Sequence, residues 1–117
     1  MFNEITLVGR LTKDAHGGTM HNAQQTPLTR FTLAVDRDYE TAGGERPTDF
    51  WPVEIIGPYG ERVGKHLFKG RLVLVSGSAH LDSVKDEDGN YHTYARVTAT
   101  KLRFLDKNPV ASEATAE

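Results

Sequence analysis

Tyr39, Phe50 and Trp51 are the aromatics whose surroundings a hydrophobic core explains least, and cations are spread around them in the chain: Arg10, Arg30, Arg37, Lys65, Arg71, Lys85 and Arg96. Flat π surfaces stack on nucleobases, at about 1–3 kcal/mol per base and with little regard to sequence, while guanidinium and ammonium groups neutralise phosphates. Tyr39 lies in a polar stretch, DRDYETAGGERP, that offers it no apolar partner nearby. Phe50 and Trp51 are adjacent in an extended run, so their side chains point to opposite faces and cannot both enter one core. Pro52 follows directly and marks an edge or a bulge, because it has no N–H for a ladder.

Catalytic chemistry has little to build on. The chain has no G-x-S-x-G elbow, no H-E-x-x-H and no phosphate-cradling glycine loop. The sequence therefore predicts a binding protein rather than an enzyme, with no cofactor. His80 and Asp82, two apart, share one side of a strand and could meet His92 across a hairpin to hold a metal, but solvent-facing side chains are the simpler reading and no metal site is predicted. Cysteine is absent, which removes disulfides and Cys-type zinc sites. The formal net charge of −2 means that any polyanion must be met by cations gathered on one face. No apolar run is long enough to span a membrane, and Met1–Glu4 lacks the basic start and apolar core of a signal peptide, so a cytoplasmic location is expected.

The elements that must position these residues centre on residues 48–77. Asp49–Ile56 reads as a strand of aromatic and β-branched residues, stopped by Gly57-Pro58. Glu61–Leu67 reads as about two helical turns, with Val63 and Leu67 on one face. Lys69-Gly70 closes it, and Arg71–Val75 is a second apolar strand leaving through Ser76-Gly77. Upstream, Phe2–Leu11 alternates as a half-buried strand, with Gly9 marking a bend. Lys13–Thr26 is polar and loop-like, with a frayed strand around Thr19–Ala23, and Leu28–Val35 alternates again. Asp36–Pro47 reads as a long hairpin finger carrying Tyr39. Downstream, Ser78–Val84 continues outward, Asp88-Gly89 turns a second finger, and Tyr91–Leu105 is the last strand, with a phase shift that predicts a bulge near Thr100. The expected fold is all-β: a five-stranded Greek-key OB barrel with one short helix between strands 3 and 4. The 117 residues divide into a domain over 1–106 and a small, polar tail over 107–117, expected to be disordered.

With these elements placed, the chain resembles the bacterial or phage single-stranded DNA-binding proteins from Asn3 to about Leu105. The resemblance rests on NEITLVGRL at Asn3–Leu11, TRFTLA at Thr29–Ala34, TDFWPVEIIG at Thr48–Gly57, LFKGRLVLVSG at Leu67–Gly77 and the closing hairpin and strand at Asp88–Leu105. It implies an OB fold, usually a homotetramer with a dimer as the alternative, that binds single-stranded DNA without sequence choice during replication, recombination or repair and has no enzymatic activity. It puts Tyr39 and Phe50 at stacking positions, with Trp51 beside them. Arg10, Arg30, Arg37, Arg71, Lys85 and Arg96 are the expected phosphate contacts. Ile56 and Val84 stand where the family usually has aromatics, and Arg96 where it often has an acid. The acidic, apolar tip with which many members recruit replication and repair proteins has no counterpart before Glu117. An OB-type protein-interaction module with weak DNA affinity is the alternative function that the near-neutral charge and the missing aromatics at Ile56 and Val84 suggest.

Overall fold

The computed structural model describes residues 1–107, and the expected tail at residues 108–117 lies outside the described residues. The described elements run β1 (Ile5–Leu11), β2 (His16–Thr19), β3 (Pro27–Asp36), β4 (Thr48–Ile56), α1 (Pro58–Gly64), β5 (Leu72–Lys85) and β6 (Tyr91–Phe104). They form one six-stranded sheet in the order β1-β5-β6-β4-β3-β2, in which β1 also pairs with β3 through Arg10–Ala34 and Leu11–Leu33. β4 and β6 run parallel and the other pairs are antiparallel.

This corrects the expected five-stranded Greek-key barrel. The sheet has six strands, and the helix lies between β4 and β5. The additional strand is His16–Thr19, HGGT, registered on Arg30 to Pro27 of β3. All four residues are exposed, so the strand is held by backbone pairing at an edge and has no apolar alternation to announce it. Of the frayed strand expected at Thr19–Ala23 only Thr19 is strand, as the end of β2; the chain then turns, and the Asn22 side-chain amide donates to Thr26 Oγ1 while its carbonyl oxygen accepts from the Thr26 N–H. The helix starts earlier than the spacing of Val63 and Leu67 suggests. Gly57 takes φ 104°, a left-handed value that a side chain rarely adopts, and Pro58 opens the helix, where a missing N–H costs nothing. Leu67 is buried just beyond the helix end.

Alternation sets the two sides of the sheet. Phe31 and Leu33 of β3, Val53 and Ile55 of β4, Val73 and Val75 of β5, and Val97 of β6 enter one core. Two glycines allow the backbones to approach. A Cβ on Gly9 would lie 2.3 Å from the Ala34 carbonyl oxygen, where β1 passes from β5 to β3. A Cβ on Gly77 would lie 1.9 Å from the Thr98 oxygen and 2.9 Å from the Ala99 Cα. Gly77 sits at the bulge that the phase shift near Thr100 predicts: Ser76 pairs with Lys101 and Gly77 with Ala99, which leaves Thr100 as the extra residue.

Backbone atoms cannot move aside as a flexible side chain can. Gly77→Ala is therefore expected to destabilise the protein by about 1–3 kcal/mol, read as a lower urea midpoint. An unchanged midpoint would mean that β5 and β6 separate at the bulge at no cost.

Candidate nucleic-acid interface

The outward residues of β3 and β4 form a face that continues onto β6 and the outer half of β5. Across the register run His16, Arg30, Glu54, Thr98 and Ser78, from β2 to β5. A parallel row joins Arg10 of β1, Ala34 of β3 and Phe50 of β4. Because β4 and β6 run parallel and each begins at its finger, the β3–β4 finger that carries Tyr39 and the β5–β6 finger leave the sheet at the same end of the strands. Between β2 and the floor lie two adjoining clefts that share His16, Arg30, Glu54 and Arg96.

The aromatics separate by face. Phe50 is 64% exposed and Tyr39 is 53% exposed. Trp51 points the other way, pairs with Leu33 and packs against the core, so its expected place beside Phe50 on the binding face is corrected: alternation turns it inward. Tyr39 is positioned by charge. Arg37 Nη1 donates to Tyr39 Oη at 2.6 Å, with its guanidinium carbon 5.9 Å from the ring centroid. Arg37 also donates through Nε and Nη2 to Asp49, at 3.0 and 2.9 Å. These bonds hold the Asp49 carboxyl below the usual range and raise the Arg37 guanidinium above its own. Arg37 thus orients the finger's aromatic while already holding an acid.

The remaining cations occupy different situations. Arg30 is exposed, lies between His16 and Glu54 in register, and has no ion pair among the described residues. Arg10 is exposed and donates to the Gly70 carbonyl at 2.9 Å. Lys85 stands over the Tyr91 ring at 5.9 Å on the β5–β6 finger. Arg71 requires a correction. It is 4% exposed, donates to Asp106 Oδ1 at 3.1 Å and to the His66 carbonyl at 2.9 Å, and lies 4.0 Å from the Phe104 ring centroid. Placed just before β5, it is packed between the helix exit and the chain after β6, so it ties these together rather than meeting a phosphate. Arg96 does lie on the groove face, but it donates to Glu54, Asp82 and Thr98.

The proposed metal trio is taken up elsewhere. His80 contacts Ser78, Asp82 accepts from Arg96, and His92 contacts Asp86. Among the described residues no group of three His, Asp or Glu could hold a metal ion. No described helix is long and apolar enough to cross a membrane.

Two groove residues escaped the sequence reading. Tyr94, 57% exposed, is registered on Asp82 and shares the face of Arg96 two residues on. Glu54 is 8% exposed and accepts from Arg96 and Thr98 at the centre of the floor. Both were legible from period-2 spacing, Tyr94 from Arg96 and Glu54 from Phe50 and Ile56.

The profile of the single-strand binding protein family matches residues 2–105. A single-stranded DNA-binding protein of Caldanaerobacter subterraneus subsp. tengcongensis is 42% identical over 106 residues, which cover 91% of this chain and 69% of that protein. Single-stranded DNA-binding protein B of Bacillus subtilis is 34% identical over 109 residues, or 93% of this chain and 95% of that protein. Among solved structures, the small single-stranded DNA-binding protein from Streptomyces coelicolor superposes with a TM-score of 0.71 at 23% identity, covering 89% of this chain and 95% of that one. At that identity the superposition speaks for the fold, an OB-like β-sheet domain.

Acid sensitivity follows from the carboxylates. Burial pushes the Asp106 carboxyl up, but the Leu72 N–H and Arg71 more than offset it, so it stays below the usual range. Arg96 holds Asp82 down; His92 and the Asn90 N–H hold Asp86 down. A carboxyl with a depressed folded value contributes stability that is complete above its unfolded value, about 3.9, and is lost as pH falls through the folded value. The urea midpoint is expected to hold from pH 7 to 5 and to fall below about pH 3.9. Asp106→Asn should lower it at pH 7 and flatten the acid fall; an acid fall as steep as wild type would remove Asp106 from the cause.

Proposed function

The chain belongs to the single-strand binding protein family, and we propose on that footing that it binds and protects single-stranded DNA without sequence choice, in replication, recombination or repair. The role is binding, with no chemical step. The observation that carries the residue-level reading is the outward face itself: exposed Phe50 and Tyr94 lie on one side of the sheet with Arg30 and Arg10 between and beside them, and exposed Tyr39 stands on the β3–β4 finger that leaves it. Bases stack on the three rings, and phosphates meet Arg30, Arg10 and, at the β5–β6 finger, Lys85. Arg37 acts by holding Tyr39 in place. Residues 1–106 make up the binding domain in this reading, and the protein works in the cytoplasm, where its DNA is. Exposed Phe2 and Val8, at and before β1, support self-association as a homotetramer or dimer. Contacts with replication or repair proteins belong to the same proposal.

A fluorescent dT oligonucleotide titrated at two salt concentrations tests this reading. Binding is expected to weaken as salt rises, because neutralised phosphates release counterions. Phe50→Ala is expected to cost about 1–3 kcal/mol of affinity, and Tyr39→Ala with Phe50→Ala more than either alone. Unchanged affinity in the double variant would move the site elsewhere on the molecule. No binding by wild type at low salt would favour an OB-type protein-interaction module.

A further inference from the structure

Arg96 stands on β6 in the middle of the groove floor, yet its guanidinium is already occupied. Nη1 donates to Glu54 Oε1 and, at 3.3 Å, to Thr98 Oγ1, while Nε and Nη2 reach the two Asp82 oxygens at 2.8 and 3.4 Å. Two carboxylates therefore surround one cation, and the trio carries one surplus negative charge where a polyanion has to lie. Core packing does not call for the acid at position 54. Val53 and Ile55 enter the core on either side of it, and Glu54 itself is on the outward side, nearly covered by the partners it holds. Thr98 donates to the same Oε1 at 3.0 Å, which fixes the carboxylate in its place. Other charged and titratable groups around the trio include Arg30, next to Glu54 in register, His16 beyond it on β2, His80 and Tyr94, next to Arg96 and Asp82 across the β5–β6 ladder, and Lys13, Asp14 and His21 in the clefts above.

We propose that Glu54 and Asp82 limit the affinity of this groove for single-stranded DNA by sequestering Arg96, so that Arg96 becomes a phosphate contact only when one of these carboxylates is neutralised. This rests on the single-strand reading given above. A cation held by two carboxylates neutralises no phosphate, so it displaces none of the counterions condensed on the DNA and adds nothing to the salt dependence of binding, and the surplus charge opposes the phosphates over a few ångströms of floor. Freeing it adds one contact. For a single strand that steepens the slope of log K against log salt by about 0.7, which is about a fivefold gain at 0.1 M salt relative to 1 M.

The test is anisotropy titration of a labelled dT oligonucleotide over a range of salt, with wild type, Glu54→Gln, Asp82→Asn and, as a charge control on α1 outside the groove, Glu61→Gln. Glu54→Gln and Asp82→Asn are expected to bind several-fold tighter with a steeper salt slope, while Glu61→Gln stays near wild type. Adding Arg96→Gln to Glu54→Gln is expected to abolish the gain. If Glu54→Gln melts well below wild type, the exposed Asp82→Asn decides. Carboxylate variants that bind no tighter than wild type, or a gain equalled by Glu61→Gln, would overturn the sequestration and leave the single-strand reading standing. Wild type that fails to bind at low salt would overturn that reading itself.

Discussion

Val53 lies beside Val97, and Glu54 beside Thr98, where β4 and β6 run parallel. This short ladder joins two antiparallel units, β3–β4 with its finger and β5–β6 with the other, into one continuous face. On the inner side it closes the core over Val53 and Val97, both almost wholly buried. On the outer side it sets Glu54 and Thr98 against Arg96 and brings Phe50 and Tyr94, which come from different hairpins, onto one surface. The close approach of Gly77 to the backbone at Thr98 lies in the same place, so the packing that makes the core also shapes the outward face. The pairing of β1 with both β5 and β3 supports this face from the side and places Arg10 in the row of Phe50.

Much of this arrangement was legible in the sequence, and the exceptions have physical causes. Period-2 alternation found β1 and β3, because each buries one face; β4 was marked by its aromatic and β-branched residues and the second finger by its Asp88-Gly89 turn. It separated Phe50 from Trp51 in principle but could not say which of them faced out; that is decided by Val53 and Ile55, which take the inward phase two and four residues after Trp51. It missed β2 because an exposed edge strand of glycine, histidine and threonine is held by backbone bonds alone. It took Arg71 for a binding cation because a sequence does not show that Phe104 and Asp106 fold back over it. The helix boundary slipped because Pro58 reads as a stop after a strand and equally serves as a helix start.

The electrostatics explain how a chain with a formal net charge of −2 can belong to a family that binds a polyanion. Several cations are spent internally: Arg37 on Asp49, Arg71 on Asp106, and Arg96 on Glu54 and Asp82. Each fixes a piece of structure, namely the Tyr39 finger, the chain after β6 and the junction of β4 with β6 and β5. What faces the solvent is exposed aromatics and cations outside these ion pairs, Arg30, Arg10 and Lys85. Single-strand binding in general combines base stacking, which is indifferent to sequence, with counterion release from the neutralised phosphates. The aliphatic Ile56 and Val84 are exposed as well, but they offer apolar surface without a π face.

The most direct measurement is amide shift mapping of the 15N-labelled protein on addition of a dT oligonucleotide. The account predicts that the largest changes fall on Arg30 and Thr32 of β3, Phe50 and Glu54 of β4, Tyr94 and Arg96 of β6, and Tyr39, while Thr6, Val8, Leu74 and Ser76 on the β1–β5 side stay still. Changes concentrated on the β1–β5 side, with β3, β4 and β6 unmoved, would contradict it.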